Sequence, residues 1–100
     1  MNAEKILMQV FGLISKEGLK KDIQQNRDIF NDVEVQKLLL LPIAMVYLSP
    51  KFKKDLRGLT PEKVIYSMIK QRPDLKPLLE TKKGVDWFLK MFNMFKKKLL

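Results

Sequence analysis

A chain of 100 residues with 46% hydrophobic and 31% charged residues is long enough for one domain with a single core, and too apolar for a disordered segment. It contains no Cys and no His, which excludes a disulfide framework and thiol chemistry and removes the commonest general base and metal ligand. We therefore expect no metal and no cofactor, whereas a formal net charge of +9 suggests an anionic partner.

The first quarter of the chain predicts one long helix and a short extension. Asn2 is a suitable N-cap, and apolar residues follow it at helical spacing. We predict that this helix runs to about Glu17 and that Gly18 is its C-terminal stop. A further turn of helix is expected to reach about Gln25.

The longest uncharged run of the chain covers residues 38–50. It follows a segment rich in Asn and Asp, in which Asn31 or Asp32 can cap a helix. Apolar residues cover every side of this helix, so we predict that it lies in the middle of a bundle, with a kink or break near Leu41 caused by Pro42; a strand is the alternative. The run is shorter than the roughly 20 apolar residues that span a bilayer, so we expect a cytoplasmic protein.

Helix signals continue in the second half of the chain. A Ser-Pro pair at 49–50 and a Thr-Pro pair at 60–61 are typical of helix starts, and Gly58 separates the two predicted helices. A turn or a single helical turn follows, and the last helix begins near Thr81 or Gly84. The sequence thus predicts an all-α fold, a compact irregular or orthogonal bundle of five to six short helices in one domain that covers residues 1–100.

Charge is distributed unevenly along this domain. Residues 1–48 carry six basic and six acidic side chains, whereas residues 49–100 carry fourteen basic and five acidic ones, so a neutral half adjoins a basic half. Basic clusters at helix ends are expected to face solvent, where they neutralise phosphates and release counterions. We predict that the basic half binds nucleic acid, DNA or RNA. The predicted contacts are Lys51, Lys53, Lys54, Arg57, Lys63, Lys82, Lys83, Lys96, Lys97 and Lys98.

The type of basic residue argues against sequence-specific recognition of bases. Seventeen of the twenty are lysine, which is a point charge, whereas arginine is the residue that contacts guanine through two hydrogen bonds. A weak helix-turn-helix outline around Gly58 is the one alternative. It would place Glu62, Lys63, Tyr66 and Lys70 in a groove, but two ordinary packed helices fit this segment better.

The last helix, within residues 85–100, carries two adjacent apolar stripes. Together they cover about 200° of its circumference, wider than the roughly 100° that a surface helix needs. The first stripe is expected to face the core. The second consists of Trp87, Met91 and Met94, and it either lies in the core as well or contacts a protein partner, for which a homodimer is the simplest choice. Binding to a membrane surface is a weaker reading of the same residues.

Catalysis is not expected. The serines at 15, 49 and 67 have no histidine to activate them, and the four glycines stand singly, so no phosphate-binding loop is present. The sequence therefore favours a small basic accessory protein that contacts phosphate backbones. A protein-interaction module or a subunit of a larger complex is the alternative.

Overall fold

Most of the helices start at a residue whose side chain caps the first turn. In the computed structural model, which describes residues 2–100, six capping side chains accept a hydrogen bond from a backbone N–H two or three residues further on. Each cap satisfies an otherwise unpaired donor and contributes about 1 kcal/mol. The six are Asn2, Ser15, Asp32, Ser49, Thr60 and Thr81.

The described residues form a compact all-α globule with a Cα radius of gyration of 13.1 Å, close to the about 13 Å of a 100-residue domain. Two short 3₁₀ turns, Ile29–Asn31 and Pro73–Leu75, lie between α-helices. The helices are α1 (Ala3–Gly12), α2 (Lys16–Gln25), α3 (Val33–Leu48), α4 (Pro50–Gly58), α5 (Pro61–Gln71), α6 (Lys76–Leu79) and α7 (Lys82–Leu99).

Residues 2–100 thus contain seven helices, where the sequence predicted five to six. The first predicted helix ends early, at Gly12, because Ser15 caps a new helix and accepts the N–H of Gly18. Gly18 therefore lies inside α2 and does not stop a helix. Of the turn or single helical turn predicted before the last helix, the structure shows the latter: α6 is a single turn that directly follows a 3₁₀ turn.

Helix α3 is continuous through Pro42, so the predicted break near Leu41 is not found, and neither is a strand. Proline removes one helix hydrogen bond, but the ring of Pro42 is buried among neighbouring apolar groups. Tertiary packing supplies most of the stability of helices in proteins, which explains why one missing bond does not divide this one.

The centre of the bundle is α7 and not α3. Helix α7 buries seven residues and packs against α2, α3, α5 and α6. Phe88 lies 5.2 Å from Phe11 of α1, and Phe95 lies 6.4 Å from Phe30, measured between ring centroids. The prediction that α3 occupies the middle of the bundle is wrong, because the aromatic side chains of α7 already fill that space.

Gly84 allows α7 to approach α6 closely. A Cβ atom at this position would lie 1.9 Å from the carbonyl oxygen of Leu78, and backbone cannot move aside as a flexible side chain can. We expect Gly84→Ala to destabilise the fold by about 1–3 kcal/mol, although alanine has the higher helix propensity. Gly12→Ala is the matched control, since a Cβ there meets nothing within 4 Å. Urea denaturation of both variants tests this, and equal midpoints would contradict it.

Candidate interaction surfaces

Most of the predicted nucleic-acid contacts are available to a ligand. Eight of the ten basic side chains are exposed, and the other two, Lys53 and Lys96, are half-buried. Among residues 2–100, none of the ten lies within 4.0 Å of a carboxylate, because the four ion pairs there use other bases. Their positive charge is therefore not neutralised by direct pairing.

Three of these lysines share one groove. Lys51 and Lys54 of α4 and Lys63 of α5 line a groove of about 480 Å³. Two carboxylates also line it, but both have partners inside the fold. Asp55 accepts the backbone N–H of Ala3 at 3.0 Å, and Glu4 accepts the hydroxyl of Ser67. They reduce the local positive potential without forming ion pairs with the lysines.

The end of α7 adjoins this groove through Lys96. Its ammonium donates to the backbone carbonyls of Arg57 at 3.2 Å and Leu59 at 3.1 Å, and lies 5.5 Å from the ring centroid of Phe92. A cation at the carbonyl end of α4 is favoured by the helix dipole. Leu59 also lines the groove, so α4, α5 and α7 meet here. Arg57 lies in the last turn of α4 beside Lys96, and Lys97 and Lys98 follow Lys96 in the last turn of α7. We call these residues together the basic end: Lys51, Lys54, Arg57, Lys63, Lys96, Lys97 and Lys98.

Three predicted contacts lie outside the basic end: Lys53 of α4 is half-buried, and the other two lie at the far end of α7. Lys82 and Lys83 belong to the first turn of α7, and a rise of 1.5 Å per residue separates Lys82 from Lys96 by about 21 Å. The predicted set is thus divided between the two ends of α7.

The outline of the helix-turn-helix is present only as two consecutive helices. Leu59 and Thr60 join α4 to α5, and Glu62, Lys63 and Tyr66 are exposed, as is Lys70. Glu62 would set a carboxylate against phosphate on that side, which does not favour entry into a groove of DNA.

The C-terminal helix does not offer the predicted protein interface. Trp87 is 2% exposed and Met91 is fully buried, while Met94 is half-buried against the core. Of the two alternatives that the sequence leaves open for Trp87, Met91 and Met94, their burial supports the core and not a contact surface. Both apolar stripes of α7 are covered, because a central helix has neighbours on several sides.

An exposed apolar surface exists on α3 instead. One side of this helix is buried, through Val35, Leu39 and Pro42, and the opposite side faces solvent. Monomeric proteins rarely expose large contiguous apolar patches, and such patches mark interaction sites. We call this surface the α3 face: Val33 (61% exposed), Leu40 (67%), Leu41 (54%), Ile43 (37%), Tyr47 (85%) and Leu48 (82%).

The sequence pattern could not reveal the α3 face. Residues 38–48 are apolar on all sides, and periodicity distinguishes polar from apolar sides of a helix only when both are present. The one available signal was Lys37, a charged residue on the same side as Leu40 and Ala44 at helical spacing.

An acidic cleft of about 550 Å³ separates the end of α2 from the start of α3. Burial raises the pKa of Asp22, which lies in it; Arg27 opposes this shift, and Asp32 adds to it. Because the pKa of Asp22 is higher in the folded state, its ionisation lowers stability. This cost begins as the pH rises above the ordinary pKa of 3.8 and is complete above the folded-state pKa.

We expect Asp22→Asn to stabilise the fold at pH 7. The gain should shrink as the pH falls through the pKa of the folded state, and disappear below the ordinary pKa of 3.8. Thermal unfolding across this pH range measures it. Glu17→Gln, an exposed site on the same helix with the same change in charge, is the control. Equal behaviour of the two variants would contradict the expectation.

Comparisons with protein-family models, curated proteins and solved structures return no match to this chain. Residues 2–100 contain no group of three or more Asp or Glu placed to hold a metal ion. No single helix in that range is long and apolar enough to cross a membrane, although α3 and α4, which meet at a bend of 114°, do reach the required length and apolarity together. Among the described residues, the basic end and the α3 face are the two surfaces that suggest a function.

Proposed function

We propose that this chain is a small, non-enzymatic helical module that binds nucleic acid through its phosphate backbone. The observation that carries the proposal is the basic end, where side chains of α4, α5 and α7 come together without ion pairs among the described residues. Neutralising several phosphates at once releases counterions, and this supplies affinity without any contact to bases.

The composition of the basic end supports binding without sequence preference. Six of its seven residues are lysine, and the one arginine, Arg57, follows the lysines along α4. Lys96 already donates to two carbonyl groups, so the contacts to phosphate are assigned mainly to Lys51, Lys54, Lys63, Lys97 and Lys98. These are flexible point charges, suited to contacts with a phosphate backbone and not to base edges.

The experiment is a fluorescence-anisotropy titration with a labelled DNA duplex and a labelled single-stranded RNA, at about 50 mM and about 200 mM salt. We expect binding to both, weaker at the higher salt, and insensitive to a change of sequence. Affinity that is equal at the two salt concentrations would contradict phosphate contact. A strong preference for one sequence would contradict backbone binding.

A second candidate, protein interaction, is favoured by the α3 face. The α3 face takes the place of the interface predicted on α7, where Trp87 and Met91 are buried. Exposed Leu and Tyr side chains on one helix provide the apolar centre that protein interfaces need. The two functions use different surfaces and are compatible in one module.

A further inference from the structure

The α3 face has the spacing of a helix-pairing seam. Five positions of α3 follow one another in alternating steps of four and three residues, which is the repeat that aligns one side of a helix with a second helix. Leu41, Ile43 and Leu48 flank this seam and are exposed. The seam consists of Val33, Lys37, Leu40, Ala44 and Tyr47.

We propose that the α3 face is the interface of a homodimer in which two copies of α3 pack antiparallel about a two-fold axis near Pro42. The inference goes beyond the binding of nucleic acid and does not depend on it. The exposed parts of the six large apolar side chains of the α3 face offer an area comparable to the roughly 800 Å² that each partner buries in a standard-sized interface. A two-fold axis is the commonest symmetry of soluble oligomers and uses the same surface on both copies.

Side-chain size agrees with this register. With the axis near residue 42, Leu40 of one copy lies opposite Ala44 of the other, so a large side chain meets a small one in two symmetric layers. Lys37 lies opposite Tyr47, where its methylene groups cover the ring while its ammonium keeps the ion pair with Glu34 at 3.7 Å. A single lysine in such a seam favours one register over others, because other registers bury its charge.

Charge at the start of α3 bears on the orientation of the pair. Asp32 and Glu34 are both exposed there, and α4 leaves the other end of α3 at a bend of 114°. A parallel pair would set the acidic starts of both copies side by side, whereas an antiparallel pair keeps them at opposite ends of the seam. Rim charges of this kind act on orientation more than on affinity.

The same charges disfavour a lipid surface as the occupant. A helix that lay flat on anionic headgroups would bring Asp32 and Glu34 to that surface along with the apolar side chains, and their repulsion would oppose binding. Basic residues in a helix that binds lipid are expected along its polar side, but the opposite side of α3 is covered by the core. A second copy covers the apolar seam and, in the antiparallel orientation, keeps the two acidic helix starts apart.

Mass measurement tests the dimer. Sedimentation equilibrium of the unmodified chain over the micromolar range is expected to give twice the 11.8 kDa mass of one chain. Leu40→Asp should raise the dissociation constant of the dimer at least about a hundredfold, since both copies lose a central contact. Tyr66→Asp is the matched control, because Tyr66 of α5 is 68% exposed against 67% for Leu40. It should remain dimeric, and circular dichroism should show both variants folded.

Introduced cysteines test the orientation, since the chain has none of its own. A mixture of Lys37→Cys and Tyr47→Cys chains should form a mixed disulfide on oxidation. Neither variant should link to itself, because each position lies about 15 Å from its own copy along an antiparallel seam, beyond the reach of a disulfide.

Three results would overturn the proposal. The first is a monomeric mass throughout the concentration range. The second is self-linking of Lys37→Cys without the mixed product, which indicates a parallel pair. The third is a monomer that binds anionic phosphatidylserine vesicles through Leu40, which assigns the α3 face to lipid.

Discussion

Replacing Trp87 with alanine is expected to lower the free energy of unfolding by about 3–5 kcal/mol, because a large buried aromatic side chain is lost and a cavity remains. Trp87 is 2% exposed and meets Phe11 edge-on at 5.9 Å between ring centroids. Its indole Nε1 donates to the carbonyl of Arg27 at 2.9 Å and so holds the end of α2 against α7. A domain of this size is stable by about 5–15 kcal/mol, so the loss is a large share of the total.

Urea denaturation followed by circular dichroism measures this effect, since the variant has no Trp to report fluorescence. Tyr66→Ala is the control: the ring of Tyr66 is 68% exposed, and its loss should change stability by less than about 0.5 kcal/mol. Trp87→Phe should fall between the two variants, because it keeps an aromatic ring but leaves the carbonyl of Arg27 unpaired. If Trp87→Ala were as stable as Tyr66→Ala, α7 would not be the central helix.

The second large effect concerns the affinity for nucleic acid. If the basic end contacts about six phosphates, affinity should fall about a thousandfold between about 50 mM and about 200 mM salt. Replacing Lys63, Lys97 and Lys98 with glutamine should weaken binding on every sequence alike. Each lost contact should also reduce the steepness of the salt dependence by about one logarithmic unit per tenfold change in salt.

A control variant with the same total charge distinguishes binding at the basic end from a general effect of net charge. Replacement of Lys16, Lys20 and Lys21 by glutamine removes three exposed positive charges from α2 without touching the basic end. This control should keep nearly the full salt dependence. Equal losses in the two triple variants would mean that net charge, and not the basic end, determines binding.

Local signals in the sequence predicted many of the elements of the fold. Ser49 and Thr60 begin helices as the sequence predicts, and of the two predicted starts of the last helix Thr81 is the cap, since all three side chains satisfy backbone donors within three residues. The sequence does not predict that the first helix ends at Gly12, because apolar residues at helical spacing continue past it and conceal a new cap at Ser15. Helix caps involve residues close in sequence, so the sequence predicts a helix start where the capping residue interrupts the apolar pattern. It conceals the start where the apolar pattern continues across the cap.

The candidate sites were predictable only in part. Lysine clusters at helix ends are exposed almost by necessity, since an unpaired ammonium is costly to bury, and eight of the ten predicted residues are indeed exposed. That Lys96 adjoins α4 while Lys82 lies about 21 Å away depends on how α7 crosses the bundle, and no local pattern records this.

An all-α chain without Cys or His chemistry, with its surplus positive charge in the second half, follows from the residues alone. Which apolar helix is central depends on the folded chain, which places Trp87 and Met91 in the core and leaves Leu40 and Tyr47 in solvent. The difference arises because apolar composition measures how much a side chain gains by leaving water, whereas the neighbour that covers it is set by the packing of the entire chain.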